Sequence, residues 1–217
     1  MMLNFIPHWI FSLTLILTTP LFSDPVICIH GFLRSSSCMK PIAQQIENMG
    51  HTPILWDYPS RQKTIEGHAE DLVKLLQEFD EPCHFVTHSL GGVVVRAALN
   101  HPNCPERVKG GYLILMAPPN QGSQTAHTLR NIPGIRALFG SKAGKQLLHY
   151  GPSEIEALGP LPPAIIIAGS RDWKVFVAET VPKTAHTQYV IPSGHCFIMK
   201  HPDTIAIIRA VLSQKNH

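Results

Sequence analysis

Ser89, Asp172 and His195 follow one another along the chain and are of the types that nucleophilic catalysis requires. In such a set the serine hydroxyl attacks, a neutral imidazole takes its proton, and a carboxylate orients the imidazole. Asp172 is also the only aspartate between Ser89 and His195. We therefore predict a covalent acyl-transfer reaction, with Ser89 as nucleophile, His195 as base and Asp172 as the orienting acid.

Ser89 lies between an apolar strand-like run and a helical pattern, within the sequence HFVTHSLGG at residues 84–92. A tight strand-to-helix turn at a nucleophile requires small residues two positions away on either side. Gly91 meets this requirement, whereas Thr87 stands where glycine is more common. Free N–H groups at a helix N-terminus would also stabilise an oxyanion beside Ser89. The alternative interpretation is a serine that only caps a helix.

The second donor to such an oxyanion is predicted in His30-Gly31-Phe32, directly after the first apolar run. Gly31 allows a close approach of the backbone, and we assign the N–H of Phe32 as one donor. The N–H of Leu90, directly after the nucleophile, is the other. Taken alone, His-Gly is also compatible with an ordinary turn.

The acid and the base have rivals. Glu154, Glu156 and Glu179 are alternative acids, with Glu179 the strongest, and Asp172 could instead be a solvated loop charge paired with Arg171 or Lys174. Among thirteen histidines, His195 is chosen because it follows the last strand-like run. His88 adjoins the nucleophile and could line a pocket, but it is not assigned as the base.

Short apolar runs alternate with helical patterns from Asp24 onward. Strands are predicted at residues 26–29, 52–56, 83–87, 112–116, 164–168 and 188–191, and helices at 37–49, 65–79, 90–100 and 204–212. Residues 118–163 interrupt this alternation with many Gly, Pro, Ser and Asn, and contain weak helical pieces at 126–130 and 143–149. The alternation predicts an α/β domain over residues 24–217, with a mostly parallel sheet and helices on both faces.

The composition of the chain argues against several classes of function. Of the 217 residues 44% are hydrophobic and 15% charged, which suits one globular domain. The net charge is only +3 and the basic residues are scattered, so nucleic-acid binding is not expected. The five cysteines form no CxxC pair, which leaves a zinc or redox site without support. A disulfide between Cys38 and Cys104 has no support beyond the presence of both residues.

The N-terminal residues 1–23 are set apart from this domain. Residues 5–22 are mainly apolar and contain no Asp, Glu, Lys or Arg. They predict either a secretory signal peptide or an uncleaved membrane anchor, and hence a chain that is exported (periplasmic or secreted) or tethered to a membrane. A buried first helix is the alternative.

Five segments together resemble bacterial lipases and esterases of the α/β-hydrolase superfamily. They are His30-Gly31-Phe32, residues 87–92 (THSLGG), residues 117–123 (APPNQGS), Asp172 with Val175, and residues 195–199 (HCFIM). The resemblance implies the α/β-hydrolase fold and hydrolysis of a small-molecule or lipid ester through an acyl-serine, without cofactor or metal. It also implies that residues of about 120–160 form a small lid. An acyltransferase or thioesterase with the same triad, or an inactive scaffold that binds lipid or a partner, are the alternatives.

Overall fold

The computed structural model describes residues 24–214. The strands are β1 (Pro25–Ile29), β2 (Thr52–Trp56), β3 (His84–His88), β4 (Leu113–Met116), β5 (Ala164–Gly169) and β6 (His186–Ile191). The helices are α1 (Lys40–Asn48), α2 (Ile65–Leu76), α3 (Leu90–Leu99), α4 (Gln124–Leu129), α5 (Pro133–Phe139), α6 (Ala143–His149), α7 (Pro152–Ala157) and α8 (Pro202–Leu212). Short 3₁₀ helices lie at Ser36–Met39, Glu106–Val108, Val177–Thr180 and Ile198–Lys200.

The predicted signal peptide or anchor at residues 1–23 lies outside the described residues. Within residues 24–214, no helix combines the length and the apolar character needed to span a bilayer.

The six strands form one parallel sheet in the order β2-β1-β3-β4-β5-β6. Successive side chains of a strand point to opposite faces, and both faces are covered here. In β1, for example, Ile27 packs into the core beneath α2 and α3, while Cys28 packs into the core beneath α1 and α8. This two-sided burial explains why β1, β4 and β5 appear as continuous apolar runs, and the parallel sheet with helices on both faces confirms the predicted α/β architecture.

The clearest predicted helix, residues 65–79, is observed as α2 but ends at Leu76. Its start is fixed by Thr64, whose side chain accepts a hydrogen bond from the N–H of Gly67 at 3.1 Å. Its apolar residues pack against α3 on one face of the sheet. These two helices hold β1 and β3 from one side, and loops at the ends of both strands carry predicted site residues.

Residues 118–163 are more helical than the two predicted pieces, since they contain the four helices α4–α7. Pro133 and Pro152 begin α5 and α7, a position where the missing N–H of proline costs nothing. Neither α4 nor α5 has a buried residue. The two predicted pieces correspond to α4 and α6, whereas α5 and the six-residue α7 were not predicted. A helix with at most one buried residue shows no clear apolar periodicity, which explains why these two were missed.

Parallel strands direct their carboxyl ends to one edge of a sheet, and ligands bind there in open α/β folds. The loops that follow β1, β3, β5 and β6 carry Phe32, Ser89, Asp172 and His195 respectively. The four sequence-distant segments therefore meet at a single edge.

Candidate active site

Ser89 occupies the turn between β3 and α3 in a strained backbone conformation, with φ at 52° and ψ at −120°. A positive φ is unfavourable for a residue with a side chain and costs about 1–3 kcal/mol. The N–H of Ser89 donates to the carbonyl of Met116 at 2.9 Å, and its carbonyl accepts from the N–H of Gly92 at 3.0 Å. The turn therefore holds Ser89 at the N-terminus of α3 in a backbone conformation that is unfavourable for a residue with a side chain.

Two glycines make the turn sterically feasible. A Cβ on Gly91 would lie 2.8 Å from the carbonyl oxygen of His30 and 2.9 Å from that of Ile29. A Cβ on Gly31 would lie 2.8 Å from Nδ1 of His88 and 3.1 Å from the Cβ of Ser89. The loop after β1 is thus pressed against the turn, which requires glycine on each side of the contact.

Thr87, which stands where glycine is more common, is fully buried in β3. Gly92 lies next to it, and a Cβ on Gly92 would be 3.2 Å from Oγ1 of Thr87. Because Gly92 has no side chain, the larger side chain of Thr87 fits beside it.

The side chains of Ser89, His195 and Asp172 form a continuous hydrogen-bonded chain. Oγ of Ser89 lies 3.0 Å from Nε2 of His195, and Nδ1 of His195 lies 2.6 Å from Oδ2 of Asp172. The Asp172 side chain is fully buried, while that of His195 is 10% exposed. A carboxylate at Nδ1 fixes the tautomer in which Nε2 is free to accept the serine proton.

The second oxygen of Asp172 is also satisfied. Its Oδ1 accepts hydrogen bonds from the N–H of Lys174 at 2.8 Å and of Val175 at 3.0 Å. These bonds fix the plane of the carboxylate, so that Oδ2 faces the imidazole. The predicted alternative, a solvated loop charge paired with Arg171 or Lys174, does not describe a fully buried side chain with these donors.

The rival acids have other contacts. Glu179 caps two helices, because its carboxylate accepts from the N–H of Gln124 at 2.6 Å and of Phe176 at 2.7 Å. Glu154 accepts from the N–H of Gly151 at 2.9 Å, and Glu156 forms an ion pair with Lys183 at 2.6 Å. Of the four candidate carboxylates, Asp172 is the one hydrogen-bonded to His195.

His88 has a contact that sequence reasoning did not assign. Its Nε2 lies 3.0 Å from the carbonyl oxygen of His195, and the two rings are 4.8 Å apart. Burial, together with the neighbouring His195, lowers the pKa of His88 well below its usual value. A neutral His88 donates to the His195 backbone without placing a second positive charge beside the imidazole. Its position next to Ser89 in the sequence was the only available signal.

The two predicted oxyanion donors, the N–H groups of Phe32 and Leu90, belong to the loop after β1 and to the start of α3, which lie in contact. Leu90 is the first residue of α3, directly after Ser89. Phe32 follows Gly31 in the loop after β1, where Tyr58 donates its hydroxyl to the carbonyl of His30 at 3.0 Å. Leu33, with a φ of 54°, donates its N–H to Oγ of Ser60 at 3.0 Å. These bonds on both sides of Phe32 attach the loop to the segment after β2 and fix its position.

A pocket of about 400 Å³ opens onto Ser89 and His195. Its walls are mainly apolar and come from the loops after β1 and β5 and from α4–α6. The apolar lining residues from the helical segment are Ala126, Leu129, Ile135, Leu138, Phe139 and Leu147. The volume and lining suit a small molecule with a hydrophobic portion.

Five thiols are free in the described part of the chain, including Cys38 and Cys104, for which a disulfide had no support from the sequence. Burial raises the pKa of Cys28 and of Cys83 to about 12, which keeps both thiols protonated and unreactive. Residues 24–214 also contain no group of three or more His, Cys, Asp or Glu suited to a metal ion.

Comparison with solved structures identifies the architecture. The mature form of a Bacillus licheniformis lipase aligns with a TM-score of 0.67 at 18% identity, covering 89% of this chain and 94% of that one. A monoacylglycerol lipase from Paleococcus ferrophilus aligns at 0.62 and 15% identity, covering 88% and 96%. Alpha/beta hydrolase domain-containing protein 10 from mouse aligns at 0.57 and 19% identity, covering 86% of both chains. This chain has the α/β-hydrolase fold.

The predicted fold is therefore confirmed, and the likeness extends over nearly the whole described chain. No protein-family profile matches the sequence, and no curated protein does either. The sequence identities to these structures are below 20%, so the similarity lies in the fold and much less in the sequence. Because one fold supports many reactions, the function of this chain depends on the residues of its own site.

Proposed function

We propose that this protein is a serine carboxylic-ester hydrolase that acts on a hydrophobic acyl ester through an acyl-serine intermediate. The hydrogen-bonded chain from Ser89 through His195 to Asp172, with distances of 3.0 and 2.6 Å, is the observation that carries the proposal. The apolar pocket that opens onto Ser89 supports the hydrophobic acyl group.

In the first half of the proposed reaction, Nε2 of His195 takes the proton of Ser89 while Oγ attacks the ester carbonyl carbon. The carbonyl oxygen becomes an oxyanion, which the N–H groups of Phe32 and Leu90 stabilise. The tetrahedral intermediate collapses and breaks the bond to the alcohol oxygen. His195 gives its proton to that oxygen, so that a neutral alcohol leaves and the acyl group stays on Ser89.

In the second half, water takes the place of the alcohol. His195 removes a proton from the water as it attacks the acyl carbon, and a second oxyanion forms in the same site. Collapse releases the carboxylic acid and returns the proton from His195 to Oγ of Ser89. Asp172 remains ionised throughout and stabilises the imidazolium that forms in each half.

The test is hydrolysis of p-nitrophenyl esters from acetate to palmitate by the native protein and by Ser89→Ala. We expect turnover in the native protein and a loss of several powers of ten in the variant. A fluorophosphonate probe should label the native protein and not Ser89→Ala. Ser170→Ala, which changes an exposed serine in the loop after β5, is the matched control and should keep both turnover and labelling.

Absence of both ester turnover and labelling in a folded native protein would reject the proposal in favour of an inactive binding scaffold. The products distinguish the remaining alternatives. Release of free acid in water supports a hydrolase, whereas acid appearing only as a new ester or amide of an added acceptor supports an acyltransferase. Faster cleavage of a thioester than of its matched oxygen ester supports a thioesterase.

We further propose that residues 1–23 export the chain or tether it to a membrane. The uncharged apolar run at residues 5–22 supports this proposal. Fractionation of cells that express the full chain and a chain lacking residues 1–23 tests it. Recovery of both forms in the same compartment would reject it.

A further inference from the structure

Two cationic residues, Arg34 and Lys174, line the pocket beside the hydrogen-bonded chain. The pocket lining includes no Asp or Glu side chain among the described residues. The carboxylate of Asp172 is buried behind His195, so the lining itself presents positive charge beside the catalytic residues. An apolar pocket with such a lining favours a ligand that is both hydrophobic and negatively charged.

The two cations are not among the basic residues that pair with carboxylates within residues 24–214. The lysines and arginines that contact carboxylates within 4 Å are Lys63, Lys74, Arg107, Lys109 and Lys183. Within residues 24–214, neither Arg34 nor Lys174 forms an ion pair. The ammonium of Lys174 instead donates to Sγ of Cys196 at 3.5 Å and lies 5.5 Å from the ring centre of Trp173. Neither contact neutralises its charge.

The position of Lys174 indicates which part of the substrate it would meet. Lys174 contacts Cys196, the residue directly after His195. Because His195 must return its proton to the departing alcohol, the alcohol part of an ester lies beside the imidazole. A charge on the alcohol part would therefore lie on the same side of the pocket as Lys174.

The part of the pocket lining that comes from the helical segment differs in chemistry. It is formed by apolar residues of α4–α6, such as Leu129, Ile135 and Leu147. Burial lowers the pKa of His88 most, His195 lowers it further, and the charges of Arg34 and Lys174 add to the lowering, so both cations act on the catalytic end of the pocket. The pocket lining thus combines an apolar helical part with two cations beside the catalytic residues.

We propose that the substrate is an ester whose alcohol part carries an anionic group, a phosphate or a carboxylate, held by Lys174 with Arg34. This inference rests on the proposed ester hydrolysis at Ser89 and specifies its substrate class. The acyl chain lies against α4–α6, and the anion neutralises the two cations when it binds.

The test compares decanoyl esters that differ only in the alcohol, with release of decanoic acid as the readout. The alcohols are glycerol (neutral), glycerol 3-phosphate (phosphate), glycolic acid (carboxylate) and choline (cationic). We expect kcat/KM to be highest for one of the two anionic esters and lowest for the choline ester. The better of the two anionic esters identifies the group that is recognised. High ionic strength should reduce this preference, because it screens the partly exposed cations.

Variants at the two cations sharpen the test. Lys174→Met should lower the ratio of kcat/KM for the preferred anionic ester to that for the glycerol ester about tenfold, and Arg34→Met, at an exposed position, about threefold. Lys174→Glu should shift the preference toward the choline ester. Lys74→Met, which removes an exposed lysine of α2, is the matched control and should leave the ratio unchanged.

The outcomes separate this inference from the proposed function. An anionic-to-neutral ratio near one, or a ratio that Lys174→Met and Lys174→Glu leave unchanged, would overturn the inference. Ser89-dependent hydrolysis of the glycerol ester would in that case leave the proposed function standing. Absence of Ser89-dependent hydrolysis of all four esters would instead reject the proposed function, and this inference with it.

Discussion

The turn at Ser89 and the helices α4 and α5 border the same pocket but are built in opposite ways. All five residues of β3 are buried, as are nine of the ten residues of α3. The helices α4 and α5 contain no buried residue. The group that would carry the chemistry is thus held between packed elements, whereas the wall that would meet the acyl chain rests on few core contacts. The chemistry requires accurate positions, while the wall requires only an apolar surface.

The helical wall is nevertheless attached to the loop that carries Asp172. The hydroxyl of Ser123, at the start of α4, donates to the carbonyl of Lys174 at 2.7 Å, and that of Thr125 donates to the carbonyl of Trp173 at 2.6 Å. Both acceptors lie in the loop after β5, directly after Asp172. The base of the helical wall is therefore attached to the loop that carries the proposed acid, although its remaining surface is exposed.

The largest effect is expected within the packed region. Asp172→Asn should lower kcat about 10⁴-fold, because an amide in place of the carboxylate favours the wrong imidazole tautomer. The free energy of unfolding should change far less than the rate, which circular dichroism in urea would measure. Glu179→Gln is the control, since Glu179 caps helices and does not contact His195. Near-normal turnover of Asp172→Asn would remove Asp172 from the proposed mechanism.

A pair of leucine truncations tests the contrast in packing directly. Leu115 in β4 is fully buried, and Leu115→Ala should cost about 2–5 kcal/mol of unfolding free energy. Leu138 in α5 is 48% exposed, and Leu138→Ala should cost about 0.5 kcal/mol. Because Leu138 lines the pocket, its truncation should instead alter the preferred acyl chain length in the p-nitrophenyl series. Equal destabilisation by the two changes would contradict the contrast.

A smaller effect is expected at His88, which connects the Ser89 turn to the loop of His195. His88→Phe keeps a ring but loses the donor to the His195 carbonyl, and kcat should fall about tenfold with little change in KM. The shape of the pH–rate profile should not change, since His88 is neutral and acts through position. His88→Gln, which retains an N–H donor, should recover part of the loss. Failure of Gln to improve on Phe would argue against the positioning role.

The last predicted effect is a loss of stability in mild acid. Burial lowers the pKa of His30, His68 and His84, as it does for His88. The unfolded chain therefore binds more protons than the native protein below the unfolded histidine pKa of about 6.5. Their contribution to stability is complete above that pH and is lost as pH falls toward the folded pKa values, by at most about 1.4 kcal/mol per pH unit for each histidine.

Urea unfolding at a series of pH values between about 7.5 and about 5.5 measures this slope. His68→Leu removes one of the four histidines without touching the hydrogen-bonded chain, and it should make the slope shallower. A native slope of zero over this range would contradict the prediction. None of these four histidines lies in α4–α7, so the acid sensitivity also belongs to the packed region.

The sequence alone predicted the parallel sheet and the strand–turn–helix context of Ser89. Both depend on local features, namely apolar runs that end in glycine-containing turns and a helical pattern directly after Ser89. It also placed Asp172 and His195 after strands, whose carboxyl ends must meet in a parallel sheet. The helices α5 and α7 were not predicted, because α5 has no buried residue and the six-residue α7 buries only Ile155, so neither leaves a clear periodic signal.

The tertiary structure decided what depends on contacts between distant segments. The choice of Asp172 over Glu179 follows from which carboxylate reaches His195, and the hydrogen bond from His88 to the His195 backbone follows from how two loops pack. The unpaired state of Arg34 and Lys174 likewise depends on where every carboxylate of the described chain lies. Residue type and order along a chain determine which groups are available, but a hydrogen bond or an ion pair depends on distances of a few ångströms that only the folded chain sets.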